Sequence, residues 1–221
     1  MDWTEQINAY CERLDPGYWA EPVNALTNAA FLLAALFCWQ HPAVRRDAGA
    51  VLLTANLALI GRGSYLFHTH ATRWALLTDV VPIQTFILIY LYFATKRFFA
   101  LPWWAGGGAV VLFFPYAYLA AAGVGALTGP LNGSLGYVPV AILIAVYGLL
   151  LLRSAPATGR GLIIGAAILA LSLTFRTVDA AVCAALPLGT HFLWHILNGV
   201  MLGWMILVLV RHPLPGQVWE Q

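Results

Sequence analysis

Three histidines, an aspartate and a serine are spaced along this chain in a way that suits a metal centre. His191 and His195 lie four residues apart, so on a helix they share a face and can grip one ion. Ser64 and His68 repeat that spacing, and Asp79 follows His68 by eleven residues, across a short turn at Thr69–Arg73. Three imidazoles with one position left open make a catalytic zinc site, where a structural site would be closed. Zinc in such a site lowers the pKa of water towards ~7. Asp79 would then act as general base and return the proton to a leaving group. Ser64 could stabilise charge growing on a carbonyl oxygen. Asn198 sits three residues after His195 on the same face; it either orients a histidine ligand or packs between helices.

These residues fall on segments that must lie in a membrane. The 221 residues are 61% hydrophobic and only 9% charged, against about 25% charged for a soluble domain. The net charge of +2 is too small to suggest nucleic acid as a partner. The first twenty residues lack the basic-then-apolar pattern of a cleavable leader. Seven continuous apolar runs suit helices of about 20 residues, at roughly 22–40, 48–69, 74–95, 99–122, 135–153, 161–184 and 190–210. Alternation of the kind a β-barrel needs is missing. The fold class expected is therefore all-α, a seven-helix membrane bundle with an intramembrane metal site. It forms one domain over 1–221, with an N-terminal segment at 1–21 and a tail at 211–221.

Depth and sidedness follow. The apolar run Ala48–Gly61 is too short to cross, so its helix must continue past Arg62 and Ser64 to His68. His68, Asp79, His191 and His195 then share the N-terminal side of the bilayer. Arg45, Arg46, Lys96, Arg97, Arg153, Arg160 and Arg211 collect on the other side, which the positive-inside rule assigns to the cytoplasm. The N-terminus is expected outside it. Cys11 and Cys183 would then meet no reducing cytosol and either pair or stay free thiols. Arg176 and Asp179, three apart, read as a charge pair, and Arg62 as reaching a buried carboxylate or carbonyl. Trp19, Trp74, Trp103 and Trp104 read as interfacial anchors.

The combination Ser64-x-x-x-His68, Asp79 and His191-x-x-x-His195 resembles the alkaline ceramidases. The stretch Ala20-Glu21-Pro22-Val23-Asn24-x-x-x-Asn28 is similar to their first-helix motif. More distantly the chain resembles the CREST group of membrane hydrolases and the adiponectin receptors. The resemblance, from Cys11 to about Arg211, implies seven helices, zinc on His68, His191 and His195, and Ser64, Asp79 and Asn24 close to the metal. It implies hydrolysis of the amide of ceramide or a related N-acyl lipid drawn from the bilayer. It also implies a calcium site near the N-terminus, carried over to Glu21 and Glu12, whose alternative reading is a solvated acidic tail. Two other function classes stay open from the residues alone: a metal or proton transporter, since intramembrane His and Asp can form a relay, and a lipid-sensing receptor-like protein.

Overall fold

The computed structural model describes residues 2–213. The tail expected at 211–221 lies outside the described residues from position 214 onward. Among the described residues the architecture is all-α: α1 (Pro22–Thr27), α2 (Ala29–Gln40), α3 (Pro42–Arg45), α4 (Ala48–His70), α5 (Arg73–Phe98), α6 (Trp103–Thr128), α7 (Val138–Leu151), α8 (Pro156–Val182) and α9 (His191–Arg211). Six stretches are long and apolar enough to cross a membrane: Pro22–Gln40, α4, α5, α6, α8 and α9. Their outward faces carry Leu33 and Phe37 on α2 and Val111, Leu112 and Leu119 on α6, all well exposed. A helix that shows large apolar groups outward needs lipid around it. The chain is a multi-pass membrane protein.

Two helix starts are displaced by four residues or more from the sequence reading, and proline explains both. The fourth segment, expected from 99, starts at Trp103 because Pro102 holds the cap position in an extended conformation. The sixth, expected from 161, starts at Pro156, where a proline in the first turn opens a helix because its missing N–H has no partner to lose. The expected fifth crossing at 135–153 is the shorter helix α7, only 14 residues. That is about 21 Å of helix.

Helix α9 sits at the centre, with Met205, Ile206 and Leu209 almost wholly buried, and packs on α2 and α8. Helices α4 and α5 run together through a close crossing at Gly63. A side chain there would collide with the backbone of Thr78, so only glycine lets the two helices bring Ser64 and Asp79 to one place. The N-terminal residues 2–21 form a strap across the end of the bundle where α4 stops and α9 starts. Gln6 bridges to Thr72, the Ile7 N–H donates to the Ala71 carbonyl, and Arg73 and Trp74 donate to the carbonyls of Glu5 and Trp3.

Candidate metal centre

His68 comes from the last turn of α4, His191 from the first residue of α9, and His195 from one turn further on. All three are about 1% exposed. One nitrogen from each lies within 4.8 Å of the others. Ring centroids are 4.6 Å apart for His68–His195 and His191–His195, and 5.2 Å for His68–His191. The sequence reading that these histidines converge is what the structure has.

Hydrogen bonds set which nitrogen each ring offers. His68 Nδ1 lies 2.6 Å from Glu21 Oε2, so Nδ1–H donates to the carboxylate and Nε2 keeps its lone pair. His195 Nδ1 lies 3.0 Å from Thr27 Oγ1. The only hydrogen of that hydroxyl is spent on the carbonyls of Val23 and Asn24, so the imidazole donates here too. His195 Nε2 is buried without a partner, as are His191 Nδ1 and Asp79 Oδ1. Stranded buried polar groups each cost about 1–3 kcal/mol. Unpaired nitrogens on two of the three clustered histidines are the pattern that a bound cation relieves. The donor set, three imidazoles with two held by outer hydrogen bonds, fits a divalent metal.

Helix α9 begins where it does because of Asp179, on α8. Its buried carboxylate accepts the backbone N–H groups of Thr190 (2.7 Å) and His191 (2.9 Å), and that of Cys11 (3.1 Å). An anion at a helix N-terminus is favoured by the unpaired amides and by the helix dipole. Gly189, with φ of +67°, turns the chain into this cap. Asp179 thus fixes both the start of α9, and with it His191, and the strap. A disulfide joins Cys11 to Cys183, with 5.3 Å between Cα atoms. The neighbouring Tyr10 ring stacks on His191 with centroids 3.6 Å apart.

Several sequence assignments are corrected by these contacts. Arg176 does not pair with Asp179. Its guanidinium lies 5.2–5.7 Å from the ring centres of Trp194, Tyr137 and Tyr10 and donates to the Tyr10 hydroxyl, a site for a cation among aromatic faces. Arg62 reaches no buried acceptor; it is exposed on the lipid side of α4, because Ser64 and the flanking glycines occupy the inward positions. Asn198 makes no hydrogen bond to a histidine among the described residues and instead lines the cavity below the site. Asn24 holds the Glu21 oxygen that also takes His68, and its backbone carbonyl lies against His195.

Glu21 and Glu12, the residues considered for calcium, are both engaged by protein donors. Glu12 accepts the N–H groups of Val23 (2.7 Å) and Asn24 (2.8 Å), capping α1. Glu21 takes His68 and Asn24 on one oxygen and Arg13 on the other. Arg13 also donates to the His68 carbonyl, so an arginine already supplies the positive charge beside Glu21. Burial works to raise the Glu21 pKa, but the bonds and charges of His68 and Arg13 outweigh it and hold the carboxyl below its usual range.

Sequence reasoning missed Thr27, Tyr10, Arg13 and the Arg176 cage. A signal for Thr27 was available: Glu21, Asn24 and Thr27 recur every three residues and share a helical face.

Ser64, Asp79 and Asn198 open onto one cavity. Below them its walls are apolar, including Ile60, Ile83, Phe86 and Met205. Compared with known protein families and with the curated proteins, the chain matches none.

Proposed function

We propose that this protein is a zinc-dependent intramembrane hydrolase that cleaves the amide of ceramide or a related N-acyl lipid. The observation that carries the reading is a carboxylate and a hydroxyl, Asp79 and Ser64, lining one apolar cavity, with Ser64 one helical turn before His68 of the buried three-histidine cluster. A metal centre alone would need no such cavity, and a lipid pocket alone would need no such histidines.

His68, His191 and His195 would hold the ion. When bound, zinc supplies Lewis acidity and an acidified water. The protein residues do the rest. Asp79, with Oδ1 free, accepts the proton from water and returns it to the departing amine. Ser64 donates to the carbonyl oxygen as negative charge grows there. Glu21 and Thr27 fix the tautomers of His68 and His195 so that the correct nitrogens carry lone pairs. Products are a fatty acid and an amino alcohol.

We also take α7 as a seventh crossing. Its first turn lies beside the α8 end that carries Arg176, and its last beside the start of α8, where Gly148 abuts Gly159. Seven crossings put the strap and the metal centre on the non-cytoplasmic side and the arginine-rich ends in the cytoplasm.

A transporter is the less favoured reading. Ion passage needs polar groups from one face to the other, and the cavity is predominantly apolar below Asp79.

The test is to purify the chain, count bound zinc, and measure fatty acid released from ceramide beside His68→Ala. One zinc per chain and hydrolysis lost with His68 are expected. Metal-free protein that still cleaves the lipid, or zinc-loaded protein that cleaves no amide, overturns the reading.

A further inference from the structure

We infer that the cavity measures its substrate: it takes the hydrocarbon chain on the carbonyl side of the scissile bond and limits its length at a floor built from Tyr147 and Ala94. The inference rests on the hydrolase reading of the metal centre.

The cavity lining runs on α5 from Asp79 to Ala94, fifteen residues or about 22 Å of helix. On α9 it runs from Trp194 to Met205, and on α7 from Tyr137 to Tyr147. At the far end Tyr147 does not simply point into space. Its hydroxyl is 2.9 Å from Thr95 Oγ1 and its ring meets Phe99 edge-on at 5.1 Å. Thr95 in turn donates to the Leu91 carbonyl. The side chain that closes the bottom is therefore held by α5 as well as by its own helix. Ala94, 2% exposed, leaves the last stretch open because it is small.

Which chain enters follows from where polarity stops. One turn beyond Asp79 the wall is already Ile83 and Phe86. The amine side of a ceramide-like amide carries hydroxyl groups on its first carbons, and these would be stranded there. The acyl side is plain hydrocarbon from the carbon next to the carbonyl. An extended alkyl zigzag of ~1.5 Å bonds advances about 1.3 Å per carbon. Along α5 the lined stretch of about 22 Å would hold at most roughly 16–18 carbons between the reacting carbonyl and the floor.

Two substitutions move the floor in opposite directions. Ala94→Leu fills the last stretch and Tyr147→Ala removes the barrier. The zinc-loaded full-length protein and both variants are assayed on ceramides with acyl chains of 8 to 24 carbons. In parallel, the shift in thermal unfolding temperature on adding free fatty acids of the same lengths is read without turnover. For the native chain the best substrate and the most stabilising fatty acid should both fall near 16–18 carbons. Ala94→Leu should move both optima shorter and lower the ratio of 18-carbon to 12-carbon hydrolysis about tenfold, the scale of a few methylenes misfitted in a tight pocket. Tyr147→Ala should raise the response to 24-carbon chains by a similar factor. Unchanged length profiles in both variants, with hydrolysis intact, overturn the inference and leave the hydrolase reading standing. If no ceramide is cleaved, the hydrolase reading fails and the fatty-acid shifts alone judge the floor; length-independent shifts overturn it.

Discussion

The proton on His68 Nδ1 is held by Glu21, and the whole centre depends on that small fact. Glu21→Gln keeps the shape of the side chain but loses the charge that fixes the ring. Zinc affinity should fall about 10–100-fold, the usual cost of losing a ligand's outer partner, measured by competition with a chelator on the purified chain. Affinity equal to that of the native protein would mean that Glu21 serves only Arg13. Asp79→Asn should behave in the opposite way. Zinc stays bound while ceramide turnover drops at least about a hundredfold, the scale of a lost general base; zinc counting and a turnover assay on the same sample separate the two effects. The histidine cluster was legible because a histidine in an apolar run has few structural excuses. Its partners were not. Thr27 looks like any helix-packing threonine, and Arg13 lies in a polar stretch whose sequence does not say that it folds back onto Glu21. Calcium at Glu21 was carried over from the resemblance alone, and an acid in sequence does not announce the arginine that sits beside it.

Elements carry the next set of effects. Asp47 caps α4 through the Ala50 N–H (2.8 Å) and takes a two-pronged contact from Arg97 at the end of α5. Burial tends to raise its pKa, but the Arg97 and backbone hydrogen bonds prevail and hold it below the usual aspartate value of 3.8. A lowered folded-state pKa means stability that is fully present above the unfolded value and is lost as pH falls through the folded one. Asp47→Ala should therefore cost a few degrees of unfolding temperature at pH 7, and the gap to the native protein should close below about pH 4. A gap that stays constant down to pH 3 would assign the loss to packing alone. The strap is the second case. Replacing Cys11 and Cys183 by serine frees a closure across 172 residues, a loop whose cross-link is worth up to about 5 kcal/mol in the chain-entropy model. The double variant should unfold well below the native chain and lose zinc faster to a chelator, since Tyr10 covers His191 only while the strap is held. Equal rates of zinc loss would separate the strap from the metal. Helix existence was readable from apolar run length, but two starts were displaced because the prolines at 102 and 156 begin helices instead of interrupting them.

For the whole molecule, composition predicts a sidedness that labelling can test. Basic residues cluster at one end of the bundle and the histidines at the other, and a single cysteine introduced at position 5 should react with an impermeant thiol reagent from outside intact cells, in a background without the native cysteines. Labelling only after the membrane is breached would invert the topology. The cavity, by contrast, was invisible in sequence. Phe86, Leu91 and Met205 look identical whether they fill a core or border a void, and only the three-dimensional spacing of α5, α7 and α9 decides between them. The strap was hidden too, because its anchors are a bridge to Thr72 and a carboxylate more than 160 residues away.

Asp179 binds the amides that open α9 and the one that follows Tyr10, and both belong to the centre's boundary. This dictates an order of events during biosynthesis. The early helices, with Glu21, His68 and Asp79, enter the bilayer while the stretch bearing His191 and His195 is still being translated. No ion can be gripped by three imidazoles until the final hairpin is threaded, and the cysteine bond must wait for that same moment. Metal capture would therefore be the finishing act of maturation, and a chain truncated ahead of its last helix would leave the translocon with only one of the three imidazoles.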